Sequence, residues 1–565
     1  MEDDGRVTHQ RSRTDPMFAI VLTLVFLAVV GPVVMHHEMW RDEVQAWLLS
    51  RDSSIPRLFT ALHYEGHPSL WYLTLRLFTP FSPGVRTVQL VSLVFGAASV
   101  YLFALRAPLP RIVRALFAFS YFVAYGYTVV ARSYSLEMFL IMLICIFATE
   151  ARTQRSLILL GTALLLLANT SVYGVILVMA FVGAIVMMAI FGVADTTHTG
   201  ATGGTTGGTT GGTTLGTTLG TTPQTASLPI GRRLRQIAIP VAFAVIGTGL
   251  ALAQIWPRAD SIYFGNGAAT SVASGMTPRK VSVAYRLTPM WRAFVPIPPL
   301  DSLGNMWEGD MLLHRSPRAE PVAAVLSITI VVVLIGVLAR SPLAATFFGL
   351  AVLGNLLFSL LIYAGSLYHH GHFFLAFMMA LWIGAADSRW REPRGGENRF
   401  FAWFARWRMQ LIGLMLLFQV AGAAIRLVAD YREPFSEGEA VAAFIDANFP
   451  PTSIVASDPG FNGTTVSGYL DRPIYEVDRS RFATFTPLGV RGPLVIDSQI
   501  VQHVRECCAR AGAPAVLLLN HPLASDLAPP PLIAKFDVSI QPSERYFVYR
   551  IDAAASSSIA PHPVL

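Results

Sequence analysis

The sequence predicts a polytopic α-helical membrane protein of about 11 spans, followed by a small C-terminal α/β domain. Three observations carry this. Charged residues make up 14% of the 565 residues and hydrophobic ones 53%, and mean hydropathy is +0.51, whereas globular chains carry roughly a quarter charged residues. Apolar runs of around 20 residues recur, each able to cross ~30 Å of hydrocarbon. Arginines also gather in alternate connections, as cytoplasmic loops require. The net charge of +7 is almost all arginine, Lys280 and Lys535 being the only lysines. In such a chain it is an orientation signal, not a nucleic-acid footprint. Three cysteines, two of them adjacent, do not make a disulfide framework.

Taken in order, spans are expected at 17–35, 84–105, 112–130, 133–150, 156–169, 172–194, 236–256, 320–339, 343–364, 371–387 and 409–429. No small-residue cleavage site follows the first run, so it reads as a retained helix. Connections 106–111, 151–155, 195–235, 340–342 and 388–408 hold Arg106, Arg111, Arg152, Arg155, Arg232, Arg233, Arg235, Arg340 and a cluster from Arg389 to Arg408. That predicts a cytoplasmic N-terminus and an outer C-terminal domain, and the expected location is the cell inner (plasma) membrane. Arg41, Arg51, Arg57 and Arg76 in the first outer loop run against the pattern. The stretch 156–194 reads as one long helix or as two; the break at Asn169-Thr170-Ser171 and the arginines at 232–235 favour two. Residues 195–228 form a Gly/Thr tract that cannot bury enough apolar area to fold and reads as a flexible linker. The loop 257–319 is a large outer loop. These segments make one transmembrane domain, 1–429.

Residues 430–565 have the composition of a soluble domain. Glu437 to Asn448 reads as an amphipathic helix, 498–511 as a second, and Ser453–Ala456 and Ala515–Leu519 as strands. This α/β domain is expected outside the membrane, anchored by the last span.

Ionisable residues gather at the predicted outer ends of spans. Asp42 and Glu43 follow the first span; a carboxylate there suits a general base on a hydroxyl acceptor, or a metal ligand. The alternative is a solvated helix in which they pair with Arg41 or Arg51. Glu65 and His67 precede Pro68 and the stretch SLWYLTLRLF, which is short for a span. His67 could meet a phosphate with Glu65 orienting it, or the pair could cap a helix. Arg132 and Tyr134 lie in a tight outer turn, where a guanidinium could clamp a lipid phosphate or reach for headgroups. Glu137, one turn further on, is a potential partner for Arg132. His369, His370 and His372 could ligate a metal, bind a phosphate or form a solvated turn; a divalent metal cofactor is therefore left open. Neither a Gly-x-x-x-x-Gly-Lys-Ser/Thr loop nor a strand-linked Gly-x-Gly-x-x-Gly is present, so no nucleotide site is indicated. Polar groups at span ends fit an enzyme acting on a membrane-borne substrate better than a transporter with ionisable groups at the midplane.

The order Trp40-Arg41-Asp42-Glu43, then His67-Pro68-Ser69-Leu70-Trp71-Tyr72, then Arg132-Ser133-Tyr134-Ser135-Leu136 resembles the GT-C class of integral membrane glycosyltransferases. Within it, the resemblance is to the glycosyltransferase family 39, dolichyl-phosphate-mannose protein mannosyltransferase-like group, over roughly residues 17–390. The resemblance implies a GT-C fold, an outer-face site and inverting transfer from a polyprenyl-phosphate-linked sugar donor to an unidentified glycan, lipid or protein acceptor. Membrane lipids, and no nucleic acid, complete the expected partners. It implies Asp42 as base with Glu43 in support, His67 near the donor phosphate, and Arg132 and Tyr134 lining the donor site. Three departures stand out: Ser69 replaces a second proline, Asn169–Gly174 replaces a histidine-bearing turn, and the His369–His372 cluster replaces a late Arg-Tyr. The competing readings are a transporter or flippase of lipid-linked glycans, and an inactive scaffold presenting the C-terminal domain.

Overall fold

The computed structural model describes residues 15–82, 84–150, 153–191, 229–261, 282–301, 304, 306–390, 399–487, 489, 495–524 and 529–552. The Gly/Thr tract and parts of the 257–319 and 388–408 connections fall outside these residues. Helix α1 (Pro16–His36) begins with proline in its first turn, and the Asp15 carboxylate accepts the Phe18 N–H at 3.1 Å. The stretch after it, read above as a loop, folds into three short helices: α2 (Arg41–Asp52), α3 (Ile55–Glu65) and α4 (Leu70–Arg76). Gly66 ends α3 at φ +69°, a left-handed conformation that favours glycine and that turns the chain toward His67.

The bundle continues with α5 (Thr87–Arg106) and α6 (Arg111–Ala118), which gives way at Ser120 to a π-segment, Tyr121–Val129. In that segment the Val130 N–H reaches back five residues to the Tyr125 carbonyl at 3.1 Å. The third predicted span is therefore a broken helix. Next come α7 (Tyr134–Glu150), α8 (Gln154–Ala168), α9 (Val172–Phe191) and α10 (Ile230–Ile255). The 156–194 stretch is two helices, separated where Ser171 Oγ accepts the Gly174 N–H at 2.9 Å. Short helices α11 (Val283–Arg286), α12 (Pro289–Phe294) and α13 (Met311–Arg315) lie in the long loop. They are followed by α14 (Glu320–Leu338), α15 (Pro342–Leu361), α16 (Leu367–Ala386) and the 34-residue α17 (Arg399–Arg432).

Among the described residues, eight helical stretches, counting α6 and the π-segment together as Arg111–Val129, are long and apolar enough to cross a membrane. Three more, α7, α8 and α16, stand at predicted spans; α7 and α8 are shorter, and α16 carries the histidines. The connections alternate between two ends. At one end Arg106 pairs with Glu150 at 2.8 Å, Arg111 with Asp15, and Ser341 with Asp387 at 3.0 Å. At the other, Arg132 meets Asp42, the Leu70 N–H donates to the Asn169 carbonyl at 3.2 Å, and the Tyr127 hydroxyl donates to the Tyr368 carbonyl at 2.7 Å.

The C-terminal domain stands on this second end. Strands β1 (Ile454–Asp458), β2 (Ile474–Glu476), β3 (Arg481–Ala483), β4 (Ala515–Leu519), β5 (Leu532–Phe536) and β6 (Tyr546–Ile551) form one sheet ordered β3-β2-β1-β4-β6-β5. Strand β1 pairs in parallel with both β2 and β4, and the other three pairings are antiparallel. Both central strands are buried along their whole length, as strands covered on two faces require. Helices α18 (Gly438–Asn448) and α19 (Thr464–Leu470) cover one face through Val441, Ile445 and Val466, and α20 (Asp497–Ala511) covers the other through Ile500, Val504 and Cys508. The α/β expectation and both predicted helices hold.

Candidate functional site

Asp42 lies in the first turn of α2, and Arg132 in the turn between the π-segment and α7. Asp42 Oδ2 stands 3.0 Å from Arg132 Nη1, with both side chains nearly buried. Asp42 Oδ1 accepts from Arg41 Nε at 3.3 Å, so the carboxylate lies between two guanidiniums. Arg132 Nη2 donates to His67 Nε2 at 3.2 Å. Burial, Arg132 and His372 push the His67 imidazole down to about 3, so it is neutral. With Nε2 accepting, the proton sits on Nδ1, which has no protein partner.

The guanidinium of Arg132 also lies over two rings, 5.6 Å from the centroid of Tyr134 and 5.2 Å from that of Tyr368. Tyr134 is fully buried and its hydroxyl has no partner. Its ring is 6.0 Å from His67, 6.3 Å from His369 and 5.1 Å from His372. Trp307 stacks on Tyr368 at 5.5 Å and 14°. Glu308 keeps open surface, beside Ser366 and in electrostatic range of Asp42 and Arg132.

The predicted residues separate into two groups. Asp42, His67, Arg132, Tyr134, His369 and His372 converge. Glu43 faces the other way: Oε1 accepts the Ala131 N–H at 2.6 Å, while Oε2 accepts the Trp40 N–H and meets His37 Nε2, each at 3.1 Å. It fastens the first turn of α2 to the turn bearing Arg132. Glu65 turns toward Gln45, whose amide donates to it at 2.8 Å. Glu137 does not pair with Arg132; it meets His372 at 3.1 Å and accepts from the Ser171 hydroxyl at 2.8 Å. A fully buried carboxylate takes the partner its own helix layer offers, and that is α16.

The three histidines do not point to one centre. His369 Nδ1 accepts the Ser366 N–H at 2.9 Å, His370 Nε2 donates to the Ala364 carbonyl at 3.1 Å, and His372 Nδ1 donates to the His369 carbonyl at 2.7 Å. His372 instead stacks on Tyr173 at 4.4 Å. Among the described residues no group of three or more potential ligands could hold a metal ion. Sequence reasoning missed Glu308 and Tyr368. Glu308 sits in a long loop with no motif around it, and Tyr368 adjoins the histidines that drew attention.

Fold and site define a helical membrane protein with an acid–guanidinium–imidazole centre at the end of its bundle that carries a soluble domain. No family model and no curated protein matches the chain. Among solved structures it is similar to two of ArnT from Cupriavidus metallidurans. The one bound to undecaprenyl phosphate aligns at 13% identity over 94% of this chain and 97% of that chain, with a TM-score of 0.43. The apo state aligns at 14% identity over 94% and 98%, with a TM-score of 0.46.

Proposed function

We propose that the chain is a membrane glycosyltransferase that moves a sugar from a polyprenyl-phosphate carrier to an acceptor hydroxyl, with inversion, at the outer face of the cytoplasmic membrane. The observation that supports it is the nearly buried Asp42–Arg132 pair, with the unpartnered Nδ1–H of neutral His67 beside it. A carrier phosphate is a good leaving group, so the reaction needs a base, an anion clamp and little water, and no nucleotide. Asp42 takes the proton of the acceptor hydroxyl as its oxygen bonds to the anomeric carbon. The bond from that carbon to the phosphate oxygen breaks, and its electron pair stays on the phosphate. Arg132 balances the charge, and the His67 Nδ1–H and Tyr134 O–H supply further donors. Donors fixed before the reaction cost no reorganisation during it. Phosphate and Asp42 compete for Arg132, so donor binding frees the carboxylate for its work as base.

The test uses the purified protein with a panel of polyprenyl-phosphate sugars, reading release of polyprenyl phosphate. Asp42→Asn is expected to lower turnover by about 10²–10⁴-fold, the usual reach of general base catalysis, with donor binding retained. Arg132→Ala is expected to weaken donor binding and to lower turnover by about 10²–10³-fold. Full turnover by Asp42→Asn removes Asp42 as the base. Carrier movement across vesicles without sugar transfer by the native protein supports the transporter reading instead.

A further inference from the structure

Both sequence neighbours of Asp42 are fastened to acids from the last quarter of the chain. Glu43 meets His37 at 3.1 Å, and the other nitrogen of His37 meets Asp430 of α17 at 2.8 Å. On the other side the Arg41 N–H donates to Glu544 Oε1 at 3.4 Å. The Arg41 guanidinium pairs with Asp42 at 3.3 Å, lies 5.0 Å over the ring of Phe461 and has Glu544 in electrostatic range. Glu544 is fully buried. Its second oxygen accepts from the hydroxyls of Ser436 at 3.1 Å, Thr465 at 2.7 Å and Tyr546 at 3.1 Å. One residue before Trp40, the Met39 N–H donates to the Tyr469 hydroxyl at 3.0 Å. Gly468 packs so closely on Val44 that a Cβ there would collide with it.

We infer that Glu544 is a positioning residue for Asp42. The C-terminal domain holds the first turn of α2 in place through the Arg41 backbone N–H, and the Glu544 charge offsets part of the pull of the Arg41 guanidinium on Asp42. Three hydroxyls on Glu544 Oε2 already satisfy that oxygen within the domain, so Oε1 is the atom that reaches out to α2. Without the charge on Glu544, Arg41 has Asp42 alone to neutralise it and draws that carboxylate away from the acceptor. The inference deepens the glycosyltransferase reading and rests on Asp42 acting as the base.

The test is made on the full-length protein. Glu544→Gln keeps an oxygen for the three hydroxyls and loses the charge. It is expected to lower kcat about tenfold while the donor KM stays within twofold. Adding Arg41→Gln to that variant is expected to restore most of the loss, because the freed guanidinium causes it; damage to the domain alone would not be repaired this way. Unchanged kcat in Glu544→Gln, or a loss that persists in the double variant, overturns the inference. Should Glu544→Gln fail to fold, Tyr469→Phe carries the test: kcat is expected to fall severalfold at constant donor KM, and a wild-type kcat overturns it. Hydrogen exchange across residues 39–44 reads the same tether without catalysis. Faster exchange confined to that segment in Glu544→Gln is expected, and wild-type exchange refutes the tether. Failure of the underlying reading has a different signature, full turnover by Asp42→Asn.

Discussion

His37 lies just beyond α1 with no solvent exposure and two acids in reach, Glu43 and Asp430. Burial alone would lower its pKa; Asp430 and Glu43 outweigh burial and raise it to about 10. The stabilisation is therefore complete below about pH 6.5 and is lost only as pH rises through about 10. His37→Gln leaves two buried carboxylates without a counter-charge, and such a break costs about 3–5 kcal/mol. A large fall in the thermal unfolding midpoint in detergent checks this. Asp458 shifts for the opposite reason: burial first, then Asp478 and Asp497, raise it from 3.8 to about 7. The native state then holds a proton that the unfolded chain has released, so stability falls as pH rises from about 4 to 7. Asp458→Asn is expected to stabilise the protein above pH 7, by at most about 4 kcal/mol, and to change little at pH 4; unfolding curves at both pH values decide. Asp42, His67, Arg132 and Tyr134 were legible because ionisable and polar groups at the ends of apolar runs stand out. The work of Glu43 was not: its partners Ala131 and, through His37, Asp430 are far along the chain, where no local pattern reaches.

Among the helices, α16 packs tightly on the π-segment beside the site. A Cβ on Gly371 would collide with the Tyr127 hydroxyl and the Phe122 ring. Tyr127 in turn donates to the carbonyl of Tyr368, one of the rings under Arg132. Gly371→Ala is therefore expected to cost about 1–3 kcal/mol through overpacking and to displace Tyr368, His369 and His372. A lowered unfolding midpoint together with weaker donor binding would be the signature. Helix positions could be read from apolar runs, and the α8–α9 break from Asn169-Thr170-Ser171. The π-segment could not, because an apolar run of that length satisfies a straight helix equally well. Helices α2, α3 and α4 escaped for a related reason: at 12, 11 and 7 residues they are too short to stand out as spans.

For the molecule as a whole, the arginine pattern and the alternation of connections predict one sidedness. A cysteine at Gly512 should react with a membrane-impermeant thiol reagent in intact cells, and one at Arg155 should not. The native cysteines, Cys145, Cys507 and Cys508, are buried and free, which keeps the background low. The reverse labelling would invert the topology. The two-part architecture was legible from the change in composition near residue 430. That the second part grips the first was not, since docking depends on Gly468 against Val44 and Tyr469 against Met39, pairs with no shared motif.

That grip also bears on the timing of biosynthesis. Met39 waits for Tyr469, 430 residues on, and Arg41 waits for Glu544, 503 residues on. Domains fold as units, N-terminal ones first during synthesis, so the bundle can insert while the first turn of α2 is still untethered. The turn that carries Asp42 is then tied down only when the last strands leave the ribosome. A chain made only as far as Arg432 would hold every described helix of the bundle and still lack both of these contacts.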